Sequence, residues 1–165
     1  MRGQLDLFFH TAQPEPIKVA RVALVACGKT KRATAAPAGE LYTGALVRMA
    51  LEYARRTCEQ VFILSAKHGV LALDTVVEPY DETLVGRRKF ERLAWGERVA
   101  ARVQQLVPPP ADLLLLAGSM YLEALQKPLL AADRYMYSTP LAGQGIGEQL
   151  AWLKEALAEM DEGQP

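Results

Sequence analysis

The chain has 165 residues, half of them hydrophobic, and its 19 basic and 19 acidic side chains give a formal net charge of zero. That length and composition predict one globular domain with a substantial core. The balanced charge excludes a global positive field, so any attraction to phosphate must be local. The two cysteines lack the spacing of a disulfide framework, which predicts a cytoplasmic protein. Because the sequence shows no secretory signal and no apolar run long enough to span a bilayer, no membrane association is expected.

The first 17 residues are expected to form a flexible tail, because the TAQPEP stretch at 11–16 favours an extended, solvated link. A single α/β domain is expected over residues 18–165. Buried strands are predicted by apolar runs at 19–27, 61–64, 113–116 and 135–137. Helices are predicted by apolar residues at helical spacing over about 43–57, 95–106, 119–131 and 146–157, with Ser119 as the cap of the third.

In the segment at 70–88 the apolar residues follow neither the helical nor the strand spacing for long, and Pro79 interrupts it. A short strand or turn followed by an irregular stretch is therefore predicted there. Strands that alternate with helices imply right-handed crossovers. The predicted fold is therefore a three-layer α/β/α sandwich around a mainly parallel sheet of four to five strands. Ligands in such folds bind beyond the carboxyl ends of the strands. Four polar loops are expected on that rim: CGKTK, SAKHG, GSMY and STPLAGQG.

The loop after the first predicted strand reads CGKTKR. Gly28 permits a tight turn, and Lys29 and Lys31 are suited to bind phosphate. The loop has neither the GxxxxGK[ST] spacing of a P-loop nor the GxGxxG fingerprint of dinucleotide sites, so no cofactor is assigned. The alternative is a solvated basic loop without a ligand.

The SAKHG loop places a hydroxyl, an amine and an imidazole directly after the second predicted strand. His68 is the candidate for general acid or base chemistry, or for holding a phosphate or a base edge. The alternative is a hydrogen-bonded structural histidine. One rim histidine among scattered carboxylates has no metal-ligand spacing, so no metal is predicted.

The EPYDETL stretch supplies acidic groups around Tyr80. Glu78 or Asp81 could balance a lysine charge or activate a water, although Pro79 and Asp81 also suit a structural turn. Cys27, at the end of the first strand, is either a nucleophile or a small core residue, of which core packing is favoured.

Two sets of site residues are predicted. The catalytic candidates are His68, Asp81 and Glu78. The candidates for substrate or phosphate binding are Gly28, Lys29, Lys31, Ser65, Lys67, Tyr80 and Ser119. Trp95 and Trp152 fall in helical apolar patterns and are expected in the core rather than in base stacking.

Four stretches together resemble a small bacterial and phage family known only as a domain of unknown function: LVACGKTK, LYTGALVR, ILSAKHGVLALDTVVEPYDETL and PLAGQGIGEQLAWL. The stretch that runs from SAKHGVL through an aspartate to EPY is similar to the corresponding stretch of the YaaA peroxide-stress family. More distantly, the architecture is similar to uracil-DNA glycosylases and to a domain of archaeosine synthase. These resemblances imply a nucleic-acid or nucleobase setting, with DNA binding, DNA repair or protection from oxidative damage as expectations.

The tail peptide Gln4-Leu5-Asp6-Leu7-Phe8 resembles the short segment by which bacterial repair and replication proteins bind the DNA sliding clamp. In that interpretation Leu5, Leu7 and Phe8 bind the clamp by apolar contacts while Gln4 forms a hydrogen bond. The alternative is that the peptide packs on the domain as an added edge strand.

Two functional hypotheses follow. The first is a DNA-associated enzyme that acts on a base, a nucleotide or a glycosidic bond, in which Asp81 or Glu78 orients water and His68 or a lysine stabilises the departing base. The second is a non-catalytic DNA-binding or adaptor protein that is recruited to the clamp and contacts backbone phosphate through lysines.

Overall fold

The computed structural model describes residues 14–164. Its elements, in chain order, are β1 (Ala20–Ala26), β2 (Ala36–Pro37), α1 (Ala38–Leu41), α2 (Ala45–Thr57), β3 (Gln60–Ser65), β4 (Gly69–Ala72), β5 (Val76–Val77), α3 (Lys89–Leu106), β6 (Ala111–Leu116), α4 (Ser119–Leu125), a π-helical turn (Gln126–Leu130), β7 (Met136–Ser138) and α5 (Ile146–Glu162). The main sheet has the order β4-β3-β1-β6-β7, and β2 pairs with β5 in a separate ribbon.

Four of the five strands in the main sheet are parallel. β1 pairs with β3 on one side and with β6 on the other, and β7 continues parallel to β6. β4 is antiparallel to β3, and Gly69 at the turn between them has a φ of 73°, which glycine adopts without strain. The predicted α/β class and mainly parallel sheet are therefore confirmed.

Helices cover both faces of the sheet. Val22 and Leu24 of β1 belong to a core cluster that includes Trp95 of α3, whereas the alternating Ala23 and Val25 belong to a second cluster with residues of α2 and α5. This alternation is the period of a strand buried on both sides. Both tryptophans expected in the core pack as predicted: Trp95 is 1% exposed, and Trp152 is partly buried against the second cluster.

Three helix boundaries differ from the prediction, and one of them is the end of α5, which lies at Glu162 rather than near residue 157. α3 begins at Lys89 rather than near Trp95, because the Glu91 carboxylate accepts the backbone N–H of Arg88 and so satisfies a donor at the start of the helix. Ser119 is wrongly predicted as a cap: Gly118 occupies the cap position, and no side chain caps the helix. The helix then continues as the π-helical turn around Pro128, whose ring nitrogen has no hydrogen to donate.

The predicted excursion at 70–88 contains β4 and the short β5 before an irregular stretch that leads to α3. The sequence did not indicate β2, α1 or β5, because two- to four-residue elements are too short to show a period. Within residues 14–164, no helix has both the length and the apolarity needed to cross a membrane. The proposed clamp peptide at 4–8 lies outside the described residues.

Candidate functional site

A crevice opens where the chain leaves the carboxyl ends of β1 and β6. From β1 the chain crosses one face through α2 to reach β3, and from β6 it crosses the other face through α4 to reach β7. The loops after β1 and β6 therefore leave in opposite directions, which is the arrangement in which open α/β sheets bind ligands. The crevice has two cavities, which we name the apolar lobe and the charged lobe.

The apolar lobe has a volume of about 580 Å³. Its lining comes mainly from hydrophobic side chains at the ends of β1 and β6 and from the first turns of α2, α4 and α5. Representative lining residues are Val47, Leu84, Leu116, Met120 and Leu150. A volume in this range, enclosed mainly by apolar side chains, is typical of small-molecule sites.

The charged lobe adjoins it and has a volume of about 540 Å³. Four charged residues line this lobe: Lys29, Lys31, Asp81 and Glu82. The residues shared by both lobes are Cys27, Gly28, Lys29, Thr83, Val85 and Tyr121. The two lobes are therefore neighbouring parts of one crevice rather than separate sites.

The structure brings together the basic loop and part of the acidic segment predicted from the sequence. Gly28, Lys29, Lys31 and Asp81 all line the charged lobe. The Lys31 ammonium donates a hydrogen bond of 3.0 Å to the Lys29 carbonyl and lies 4.4 Å from the centre of the Tyr80 ring. Lys31 is thus held by its own loop and by a cation–π contact at the base of the charged lobe.

A buried chain of hydroxyl groups lies beneath the charged lobe. The Ser65 hydroxyl oxygen accepts the backbone N–H groups of Lys67 and His68, at 3.3 and 3.0 Å. A serine oxygen has two acceptor positions, so the Ser65 proton is donated to the Tyr80 hydroxyl, 2.6 Å away. Tyr80 then donates to the Tyr42 hydroxyl at 2.5 Å.

Burial raises the pKa of both Tyr80 and Tyr42 above the ordinary tyrosine value of 10.0. Both phenols therefore stay protonated at neutral pH and keep the chain of donors intact. Ser65 is fully buried and lines neither lobe, and Tyr80 is 8% exposed. These two predicted binding residues therefore do not line the crevice. They connect β3 to the segment that carries Asp81.

Four other predicted residues lie away from the crevice: Lys67, His68, Glu78 and Ser119. The exposed ring of His68 packs edge-on against Tyr80, with 5.3 Å between ring centres, and lines a separate cavity that Lys67 shares. Glu78 is exposed and lines neither lobe. Ser119 is also exposed, although its neighbour Met120 lines the apolar lobe.

Cys27 lies at the junction of the two lobes. It is partly buried, packs against the core cluster on the α2 and α5 face, and lines both cavities. Its sulfur lies 3.4 Å from the Tyr121 hydroxyl, and burial raises the pKa of Tyr121, which keeps that phenol protonated. Cys27 therefore has both a packing role and contact with the crevice.

Gln149 is a site residue that sequence reasoning missed. It is 7% exposed and lines the apolar lobe from the first turn of α5. Its Nε2 group donates a 2.8 Å hydrogen bond to the Gln144 carbonyl, which sets the orientation of the amide. The available signal was its position four residues before the buried Leu153, on the apolar face of the helix.

Across residues 14–164, no three His, Cys, Asp or Glu side chains lie close enough together to hold a metal ion.

A sequence model for a family of unknown function, DUF6884, matches residues 22–155. The chain belongs to this family. The matched region contains all the residues that line both lobes, from Ala26 to Leu150, so the crevice lies within the DUF6884 domain. No curated protein matches the chain significantly.

Proposed function

We propose that the protein binds a nucleotide, free or within DNA, in the crevice beyond β1 and β6, and that it acts in DNA repair or stress protection. The observation that carries this proposal is the pairing of an apolar lobe with a lobe that two lysines line. A nucleotide has the same two parts: a flat, largely apolar base and an anionic phosphate.

The lysines of the charged lobe suit the phosphate. Lys29 is exposed, lines both lobes and forms no ion pair with another residue of the described chain. Its ammonium group is therefore available to an anion at the junction of the lobes. Lys31 adds a second positive charge close by, held over Tyr80. Charge-assisted hydrogen bonds from lysine are a common means of binding phosphate.

The apolar lobe suits the base. Its walls supply hydrophobic contact, and Gln149 supplies the polar group that a base edge requires. Because one N–H of the Gln149 amide is used by Gln144, the amide oxygen and the second N–H are left to a ligand. An adjacent donor and acceptor match the hydrogen-bonding edge of a nucleobase.

Two resemblances support the DNA setting. The SAKHG and EPYDETL stretches resemble YaaA peroxide-stress proteins. The peptide at 4–8 resembles a sliding-clamp ligand. Both are independent of the shape of the crevice.

Binding of mononucleotides by calorimetry tests the proposal. A deoxynucleoside monophosphate should bind wild-type protein more tightly than its nucleoside. Lys29→Ala should reduce the ratio of nucleotide affinity to nucleoside affinity by about 10-fold or more, since a hydrogen bond to a charged group contributes roughly 1.5–3 kcal/mol. Gln149→Leu should weaken nucleotide and nucleoside alike. Lys154→Ala, an exposed change on α5 away from both lobes, is the control and should bind as wild type. If none of the four common deoxynucleoside monophosphates binds, the proposal is rejected.

Hydrolysis or transfer at a glycosidic bond is the catalytic version of this function. It is favoured by Asp81, whose carboxylate shares the charged lobe with Lys29 and could orient a water. Oligonucleotides incubated with wild type should then release a free base, and Asp81→Asn should abolish release while binding persists. If wild type binds DNA but no base is released, the alternative of a non-catalytic DNA-binding or adaptor protein is favoured.

A further inference from the structure

A second basic surface lies outside the crevice, between the β3–β4 turn and α3. It is a small groove of about 190 Å³. Its lining includes Lys67 and His68 from the turn and Trp95, Arg98 and Arg102 from α3. We call it the basic groove, because none of these residues carries a carboxylate and four of them carry a basic group.

The positive charge of the basic groove is poorly compensated. Arg98 and Arg102 are one helical turn apart on α3, a spacing at which like charges repel. Within residues 14–164 neither forms an ion pair, although Arg102 donates to the Gln105 side chain at 3.1 Å. Lys67 forms an ion pair, with 3.8 Å between its ammonium and the Glu82 carboxylate. In a chain of zero net charge this is a local concentration of positive charge that an anion would relieve.

The basic groove and the charged lobe are neighbours. Glu82, the partner of Lys67, lines the charged lobe. The ammonium of Lys67 lies 5.9 Å from the centre of the Tyr80 ring, and that of Lys31 lies 4.4 Å from the same ring. Basic groups therefore continue from the charged lobe past Tyr80 into the basic groove.

We propose that the basic groove binds a backbone phosphate of a DNA strand whose adjacent nucleotide occupies the crevice. This inference rests on the proposed function. Arginine guanidinium groups present a planar set of donors that matches phosphate oxygens, and His68 and Lys67 add donors from the other side of the groove. His68 then contacts phosphate rather than acting as the general acid or base.

Titration of a fluorescent single-stranded 12-mer against Arg98→Ala/Arg102→Ala tests this inference. The matched control is Arg134→Ala/Lys154→Ala, which removes the same charge from exposed positions that line neither lobe nor the basic groove. The groove variant should bind the 12-mer about 10-fold or more weakly than the control. The slope of log affinity against log salt should fall by about 0.7, since single strands lose roughly 0.7 per phosphate contact and the groove binds one phosphate.

A deoxynucleoside monophosphate, titrated in parallel, separates the two proposals. The groove variant should bind it as wild type does, because a single nucleotide does not extend beyond the crevice. An equal loss for monophosphate and 12-mer would show a site for free nucleotide anions, and an unchanged 12-mer affinity would show no phosphate contact; either result overturns the inference. A wild type that binds no 12-mer overturns it as well. Arginine-dependent binding of the 12-mer without any monophosphate binding supports the basic groove and rejects the crevice as a nucleotide site.

Discussion

The Ser65 and Tyr80 hydroxyl oxygens lie 2.6 Å apart in the interior of the domain. This contact joins the carboxyl end of β3 to a segment without regular structure, and Tyr80 passes the connection on to Tyr42. Asp81 and Glu82 follow Tyr80 directly and line the charged lobe. The position of both carboxylates beside the lysines therefore depends on a buried hydrogen bond.

Tyr80→Phe should lower the free energy of unfolding by about 1–3 kcal/mol, because it leaves the Ser65 hydroxyl proton without an acceptor and removes the donor to the buried Tyr42 hydroxyl. Urea unfolding followed by circular dichroism measures the change. Tyr137→Phe, at a position 43% exposed, is the control and should remain within about 0.5 kcal/mol of wild type. Equal stability of the two variants would show that the hydroxyl chain contributes nothing.

Alkaline pH should destabilise the fold. Burial raises the pKa of Tyr42 and Tyr80 in the folded chain, whereas unfolded tyrosines ionise at the ordinary value of 10.0. Above pH 10 the unfolded state therefore binds fewer protons than the folded state, so stability is present below that pH and is lost as pH rises. Each such tyrosine contributes a slope of about 1.4 kcal/mol per pH unit.

Urea titrations between pH 8 and 11 measure this slope. Tyr80→Phe should reduce it by the contribution of one tyrosine. An identical slope in wild type and Tyr80→Phe would contradict a buried, protonated Tyr80.

The sequence predicts the sheet well because its strands are continuous apolar runs. β1, β3 and β6 are buried on both faces, and the continuous apolar stretches that result are visible in the order of the residues. The rule that ligands bind beyond strand ends then placed Lys29 and Lys31 correctly on the rim. Local pattern and simple topology were sufficient for this half of the site.

The other half depends on tertiary contacts that no local pattern encodes. His68 and Lys67 follow a core strand as Lys29 does, but β3 turns back at Gly69 into an antiparallel strand. That reversal places His68 on the α3 side of Tyr80, in the basic groove. Gln149 was missed because a lone glutamine on a helix is ordinarily exposed, and only the packed fold shows that it faces the apolar lobe.

Gly96→Ala should strongly destabilise the α3 and α4 layer. A methyl group at this position would overlap the backbone carbonyl of Ala124, which cannot move without shifting α4. We expect a loss of at least about 2 kcal/mol in the free energy of unfolding, measured in urea. Gly147→Ala in α5 places its methyl more than 4 Å from any atom outside the neighbouring residues and backbone of its own helix, and it should be neutral or stabilising by up to about 1 kcal/mol. A Gly96→Ala variant as stable as Gly147→Ala would contradict the close packing of the two helices.

The peptide at 4–8 should bind a bacterial sliding clamp if its resemblance to clamp ligands reflects function. Full-length protein should bind immobilised clamp in surface plasmon resonance, and Leu7→Ala/Phe8→Ala should weaken binding about 10-fold or more, because these apolar side chains would supply most of the contact. The same variant should keep wild-type affinity for mononucleotide, since the crevice is formed by other residues. Arg2→Ala is a control within the tail. If wild type and Leu7→Ala/Phe8→Ala bind the clamp equally, recruitment through this peptide is rejected while the nucleotide proposal is unaffected.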